Sequence, residues 1–307
     1  MSGFAVVMGL PNEPPMAAVI RELTQMRAPH MVVDQRRLAL GGARTWSTER
    51  GSSGMILVDG VEVLLDEVTG VYTRLSTWSQ LPEVSDDPAR LAHIGRIHEA
   101  LEAWLETTSA CVINRTSAND TNNSKPYQAL IIRDHFDIPA TLVTNDVDAV
   151  VAFRQEFGDI VYKSTSGERS IVTSFTDADV ERLSLLASAP VQFQEFVPGL
   201  DVRAHVVGSE VFATAVESEA VDYRYDTSGR TRMTPFQLPA EIAAECVAVT
   251  RRLGLELSGV DLRFADDGRV VCFEVNPSPA YIVYEDQTGQ PIAAAIARRL
   301  ISASSPS

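Results

Sequence analysis

Apolar residues in this chain fall into short runs that switch between two periods, and the switching predicts the order of its elements. Residues 4–8 are a continuous apolar run of strand length. Ala17, Ile20 and Leu23 then recur at helical spacing, and residues 31–33 are apolar again. This β-α-β start predicts an open parallel sheet. A patch containing Gly41, Gly42, Gly51 and Gly54 follows, too irregular for a phosphate loop and expected to be a connection. Residues 55–58 and 61–65 flank Asp59-Gly60, a hairpin signal, and residues 71–74 read as another strand. Further on, Leu91, Ile94, Ile97, Leu101, Trp104 and Leu105 mark one side of a long amphipathic helix over 88–106.

Residues 111–114 predict a strand that runs into a polar loop over 115–124, where a first boundary falls. Ser124 is placed to cap a helix with Lys125 and Pro126 in its first turn. Strands are expected over 141–144, 159–163 and 171–175, with helices over 148–157 and 177–186. Residues 191–197 alternate and close at Pro198-Gly199, and a hairpin is expected across Gly208. A polar loop over 222–232, a helix over 241–253 ended by Gly254, and a closing helix over 290–300 complete the chain.

The stretch with the sharpest chemistry is the hairpin before that closing helix. Two β-like runs flank Asp267-Gly268, a dipeptide preferred in two-residue turns. With that turn Asp266 pairs with Arg269, and counting back sets Asp261 opposite Glu274. Glu274 and Asn276 lie two apart and share a face. The bland alternative is a half-exposed hairpin with a wet polar face. Against it, the acids interrupt apolar runs, and like charges facing each other across a ladder repel unless a cation lies between them. Two carboxylates and an amide oxygen are hard ligands of the kind magnesium takes alongside substrate phosphates. A three-residue turn would shift this register.

Composition narrows the classes. The 307 residues suffice for two or three domains, with ordinary hydrophobic (45%) and charged (22%) fractions. A net charge of -15 disfavours nucleic acid and anionic membrane as partners, so any nucleotide site must be a local island of Lys and Arg. Cys111, Cys246 and Cys272 are widely spaced within apolar runs and read as core residues rather than a disulfide framework. No apolar run approaches a membrane span and the start lacks the pattern of a secretory signal, so the expected location is cytoplasmic.

Several residues outside the hairpin can meet phosphate. Lys125 opens a helix after a Ser/Asn/Thr-rich loop, and Lys163 ends a strand before the small-residue loop 164–170. Taken singly, each reads as a solvated surface charge. Backbone groups over Gln194, Glu195, Phe196 and Val197 can pair with adenine and Asp201 can take ribose hydroxyls, although a plain strand and turn would look the same. Arg203 and Arg224 can each neutralise a transferring phosphoryl group or bind a substrate carboxylate. No general base stands out among Glu217, Glu219 and Asp222.

In order, Ser124-Lys125-Pro126, Ile138-Pro139, Val161-Tyr162-Lys163, Gln194 to Val197, Asp201-Val202-Arg203, Gly259-Val260-Asp261 and Phe273-Glu274-Val275-Asn276-Pro277 resemble the ATP-grasp enzymes. The nearest branch is the RimK-like one, which includes glutamate ligases and graspetide (microviridin-type) peptide maturases. The resemblance covers about residues 112–300. It implies an α/β fold with an N-terminal open parallel-sheet domain (1–115), a central lid subdomain (116–192) and a C-terminal subdomain (193–307), the latter two clamping ATP.

It also implies roles. Lys125 and Lys163 would hold ATP phosphates, Gln194, Glu195, Phe196 and Val197 would contact adenine, and Asp201 would bind ribose. Asp261, Glu274 and Asn276 would hold one or two Mg2+ ions, with Mn2+ an admissible substitute. Arg203 would face the reacting phosphoryl group and Arg224 the substrate. The loop after Lys163 has fewer glycines than in RimK proper, which argues against carrying over a ribosomal substrate. The implied activity is a carboxylate–amine ligation through an acyl phosphate on a peptide, protein or amino acid. Alternatives are a peptide maturase forming side-chain esters or amides, a small-molecule kinase, and a non-catalytic nucleotide-binding regulator. Relatives of this kind often pair, so a homo-oligomer is an expectation too.

Overall fold

The computed structural model describes residues 3–38, 42–47, 53–58, 61–77, 79, 81, 88–120, 124–164, 172–218 and 229–302. β1 (Phe4–Gly9), α1 (Pro14–Gln25) and β2 (His30–Asp34) form the expected β-α-β unit. Two prolines begin α1, where their fixed φ suits a first turn and their missing N–H costs nothing. After α2 (Gln35–Leu38), β3 (Gly42–Ser47), β4 (Ser53–Val58) and β5 (Val61–Leu64) make a small antiparallel sheet. The Gly-rich stretch expected to be a connection therefore contains a strand. Val58 pairs with Val61, as the hairpin signal requires, while Asp59-Gly60 lies outside the described residues.

β6 (Val68–Arg74), α3 (Pro88–Thr107) and β7 (Cys111–Ile113) complete a parallel sheet of order β2-β1-β6-β7. Ile97, Leu101, Trp104 and Leu105 of α3 pack with Val6, Met8 and Val71 on one of its faces. The short α4 (Thr116–Asn119) and then α5 (Lys125–Ile132) follow. Ser124 does stand at the N-cap position of α5, but its side chain makes no capping bond.

The central sheet has the order β10-β9-β11-β8. It is built from β8 (Thr141–Thr144), α6 (Val147–Phe157), β9 (Ile160–Ser164), β10 (Thr173–Ser174), α7 (Asp177–Val180) and β11 (Val191–Glu195). α7 is a single turn followed by a 3-10 segment (Leu183–Ser188), not the one helix expected over 177–186. Val150, Ile160, Leu183 and Phe193 fill this unit's own small core.

The last sheet, of order β14-β13-β12-β15-β16, contains β12 (Gly199–Val207), β13 (Glu210–Glu217), β14 (Arg232–Phe236), β15 (Leu257–Ala265) and β16 (Val270–Asn276). α8 (Ala240–Arg252) lies between β14 and β15, and α9 (Ile282–Thr288) and α10 (Ile292–Ser302) close the chain. One sheet face packs Val202, Ala204, Val260 and Leu262 with α8 and with Ile131 and Ile132 of α5. Val207 and Leu257 instead join α10, Tyr281, α1 and β1 in a core shared with the N-terminal sheet. The molecule is thus a mixed α/β fold of parallel and antiparallel sheets.

Candidate functional site

Asp261 does pair with Glu274, and Gly259 with Asn276, but the ladder reaches that register by two compensating steps. The turn has three residues, because Ala265 N–H donates to Arg269 C=O at 3.0 Å and Gly268 takes φ +91°. A three-residue loop ending in a left-handed glycine is a common hairpin solution. It puts Phe264 opposite Val270 and Leu262 opposite Cys272, one residue off the two-residue count. Phe273 is then an extra residue on β16, and this bulge restores the register just before Glu274. Bulges add a side chain to one face and re-aim the strand, and they recur beside functional sites.

Each acid of the opposed pair has a cation. Arg203, on the neighbouring strand and directly opposite Asp261, donates from Nη1 to Oδ1 of that carboxylate. Lys125 Nζ, from the first turn of α5, lies 3.6 Å from Glu274 Oε2. The backbone around Glu274 is fixed by Gln128, a buried side chain of α5. Its amide donates to Val275 C=O at 2.8 Å and its carbonyl accepts from Val275 N–H at 3.0 Å, as another strand would. Asn276 Oδ1 accepts from Ser278 N–H at 2.9 Å.

A cavity opens between the central and C-terminal sheets. Lys163, Gln194, Glu195, Phe196, Val197 and Asp201 line it together with Asp261 and Glu274. Lys125 lines an adjoining cavity that shares Lys163, Gln194, Phe273 and Glu274 with the first. Lys163 and Gln194 are only 8% and 7% exposed, so Lys163 is not the solvated surface charge it resembles in isolation. Gln194 Nε2 donates to Thr141 Oγ1 at 3.0 Å. Glu195 pairs with Arg269 at 3.0 Å.

Arg203 reaches the cavity through Asp261, while Asn276 stands two residues along β16 from Glu274. Arg224, Glu219, Asp222 and the loop over 165–170 lie outside the described residues. Among the described residues no three His, Cys, Asp or Glu side chains gather as a metal cluster. The candidate donor set is two carboxylates and one amide. That set suits a hard divalent ion whose remaining ligands come from phosphate and water.

Arg263 is a site residue that the sequence reading passed over. Its Nε donates to Asp201 Oδ1 at 2.7 Å and its Nη1 to Val197 C=O at 2.6 Å, and its guanidinium carbon lies 5.5 Å from the Phe273 ring centroid. It therefore ties the end of the 194–197 segment to the proposed ribose residue and to the bulge. Period-two counting from Asp261 places it on the same face, so the signal was present. Gln128 had a fainter one: a polar residue at a helix position that faces the core.

Comparison with known proteins gives a consistent result. Residues 121–300 match the family model of the RimK-like ATP-grasp domain. A probable alpha-L-glutamate ligase of Klebsiella pneumoniae (strain 342) is 30% identical over 176 residues, 53% of this chain and 58% of the ligase. The chain spans less than two thirds of the length of that ligase and of other curated relatives it matches. Two of the solved structures that align over nearly its whole length illustrate the likeness. One is the macrocyclase MdnC of Microcystis aeruginosa MRC, bound with precursor peptide MdnA. It has a TM-score of 0.77 at 24% identity, with 97% of this chain and 99% of MdnC covered. The other is the ATP-grasp ligase PsnB, complexed with a minimal precursor, Mg and ADP. Its TM-score is 0.78 at 26% identity, with 98% of each chain covered.

Proposed function

The chain belongs to the RimK-like ATP-grasp family, and on that premise we propose that it is an ATP-dependent ligase that activates a carboxylate of a peptide substrate. The observation that carries the reading is the opposed Asp261–Glu274 pair, lining one cavity with Lys163 and the 194–201 segment and flanked by Lys125 and Arg203. A substrate carboxylate oxygen attacks the γ-phosphorus of ATP, giving an acyl phosphate and ADP. An amine or hydroxyl of the same or another peptide then attacks the acyl carbon. Inorganic phosphate leaves, the nucleophile loses its proton, and an amide or ester remains.

The chain's share is positioning and charge neutralisation, as in other phosphoryl transfers. Gln194 to Val197 provide the edge for adenine, with Arg263 holding that segment and Asp201 in place for the ribose. Lys125 and Lys163 meet the phosphates, and Arg203 the transferring group. Asp261, Glu274 and Asn276 would hold Mg2+, which supplies positive charge against the phosphate oxygens when bound.

A peptide maturase forming side-chain esters or amides, which the sequence reading held as an alternative, has the better support. Likeness to MdnC and PsnB runs over 97% and 98% of the chain, against 53% for the glutamate ligase. MdnC was solved with a precursor peptide and PsnB with a minimal precursor. The direct test supplies ATP, Mg2+ and acidic peptides with hydroxylamine present. A ligase gives ADP only with the peptide and yields an acyl hydroxamate on it. ATP turnover that phosphorylates a hydroxyl and never yields hydroxamate would make the protein a kinase instead.

A further inference from the structure

We infer that His205 and Tyr284 are positioning residues that hold the Arg203 guanidinium across Gly259 and against Asp261. The inference rests on the proposed function, in which Arg203 meets the transferring phosphoryl group. Along β12, Val202, Ala204 and Val206 point into the C-terminal core, so Arg203 and His205 share the opposite face. The register sets Arg203 opposite Asp261 and His205 opposite Gly259.

Tyr284 of α9 presents one ring to both groups. Its centroid lies 4.7 Å from the imidazole centroid at 67°, an edge-to-face arrangement, and 6.0 Å from the guanidinium carbon. Gly259 leaves the space that the guanidinium fills: a Cβ on this residue would overlap Nη2, the central carbon and Nε of Arg203. Asp261 takes the far end. Backbone, ring and carboxylate together bound a side chain that would otherwise sample many rotamers, and a phosphoryl-facing cation is useful only when so bounded.

His205 is the least expected member of this set. It is 0% exposed, and neither ring nitrogen has a hydrogen-bond partner among the described residues. Phenylalanine would fill the same space without burying unpaired polar atoms, so the imidazole calls for an explanation beyond packing. A neutral imidazole gives Arg203 a polar neighbour that carries no competing charge. Burial first, and the Arg203 charge second, hold it in that form.

The test needs no acceptor peptide. Affinities for ADP and for the non-hydrolysable triphosphate AMPPNP are measured by calorimetry with Mg2+ on the full chain. Wild type is expected to prefer the triphosphate and Arg203→Ala to lose that preference. Tyr284→Leu should cut the preference by about tenfold, a change of 1.4 kcal/mol, with ADP affinity unchanged. Tyr284→Phe keeps the ring and should restore it. His205→Phe should lower the preference in the same direction, and it carries the test if Tyr284→Leu fails to fold. A merely structural role would shift both affinities together. Wild-type ratios in both His205→Phe and Tyr284→Leu overturn this inference and leave the proposed function standing. A wild-type protein that binds neither nucleotide overturns the proposed function itself.

Discussion

Glu274 faces a like charge on one side and the ammonium of Lys125 on the other, so its replacement by glutamine should separate stability from turnover. Glu274→Gln removes a cross-strand repulsion and a half-buried ion pair, and its stability should stay within about 0.5 kcal/mol of wild type. ADP release should fall by about 10²-fold or more, because the cation proposed for this site would lose one of its ligands. Urea titration beside a coupled ADP assay checks both halves, and unaltered turnover removes the metal assignment. His205 makes a second prediction. Burial and Arg203 depress its pKa well below 6.5, so the native state stays neutral while the unfolded chain takes up a proton on acidification. The unfolded state then binds more protons, so this contribution is intact above about pH 6.5 and is lost as pH falls below it. Between pH 7.5 and 5.5, wild type should lose about 1.4 kcal/mol of stability relative to His205→Phe. Denaturant titrations of both proteins at the two pH values measure it.

At the scale of the element, the hairpin of β15 and β16 shows what a sequence pattern carries and what it conceals. The opposed acids were legible because two β-like runs flank an Asp-Gly dipeptide. The route to them was not legible. The third turn residue and the Phe273 bulge each shift the register by one and cancel, and a bulge leaves no mark in composition. Gly268 tests the turn. Its φ of +91° is left-handed, and a Cβ there meets nothing within 4 Å. Gly268→Ala should therefore cost about 1–2 kcal/mol from backbone conformation alone, read by denaturant titration, with the nucleotide affinities unchanged. β14 escaped the reading for another reason. Pro235 interrupts its run and argues against a strand, yet β14 is an edge, where a missing N–H is tolerated. α9 was hidden behind Pro277 and Pro279. It runs only from Ile282 to Thr288 before Gly289 turns left-handed at φ 70°.

Across the whole molecule, the sheets do not share their cores equally. Tyr281 and α10 pack with β1, α1, Val207 and Leu257, so the N-terminal sheet and the C-terminal sheet meet in one apolar cluster. α5, which the sequence division assigns to the central subdomain, sends Ile131 and Ile132 into the C-terminal core. The strands of the central sheet keep a smaller cluster of their own around Val150, Ile160 and Phe193. No helix among the described residues is long and apolar enough to cross a membrane. Native-state hydrogen exchange should reflect this partition. Amides of β8, β9 and β11 should open together at a lower free energy than those of β1, β12 and β15, which should exchange as one unit. A common opening energy for all six strands would refute the partition. Under the proposed function, the same arrangement bears on how a nucleotide would get in and out. The jaw carrying Asp261 and Glu274 packs on the amino-terminal layer through α10, so any travel needed to bite and release would fall to the jaw that carries Lys163.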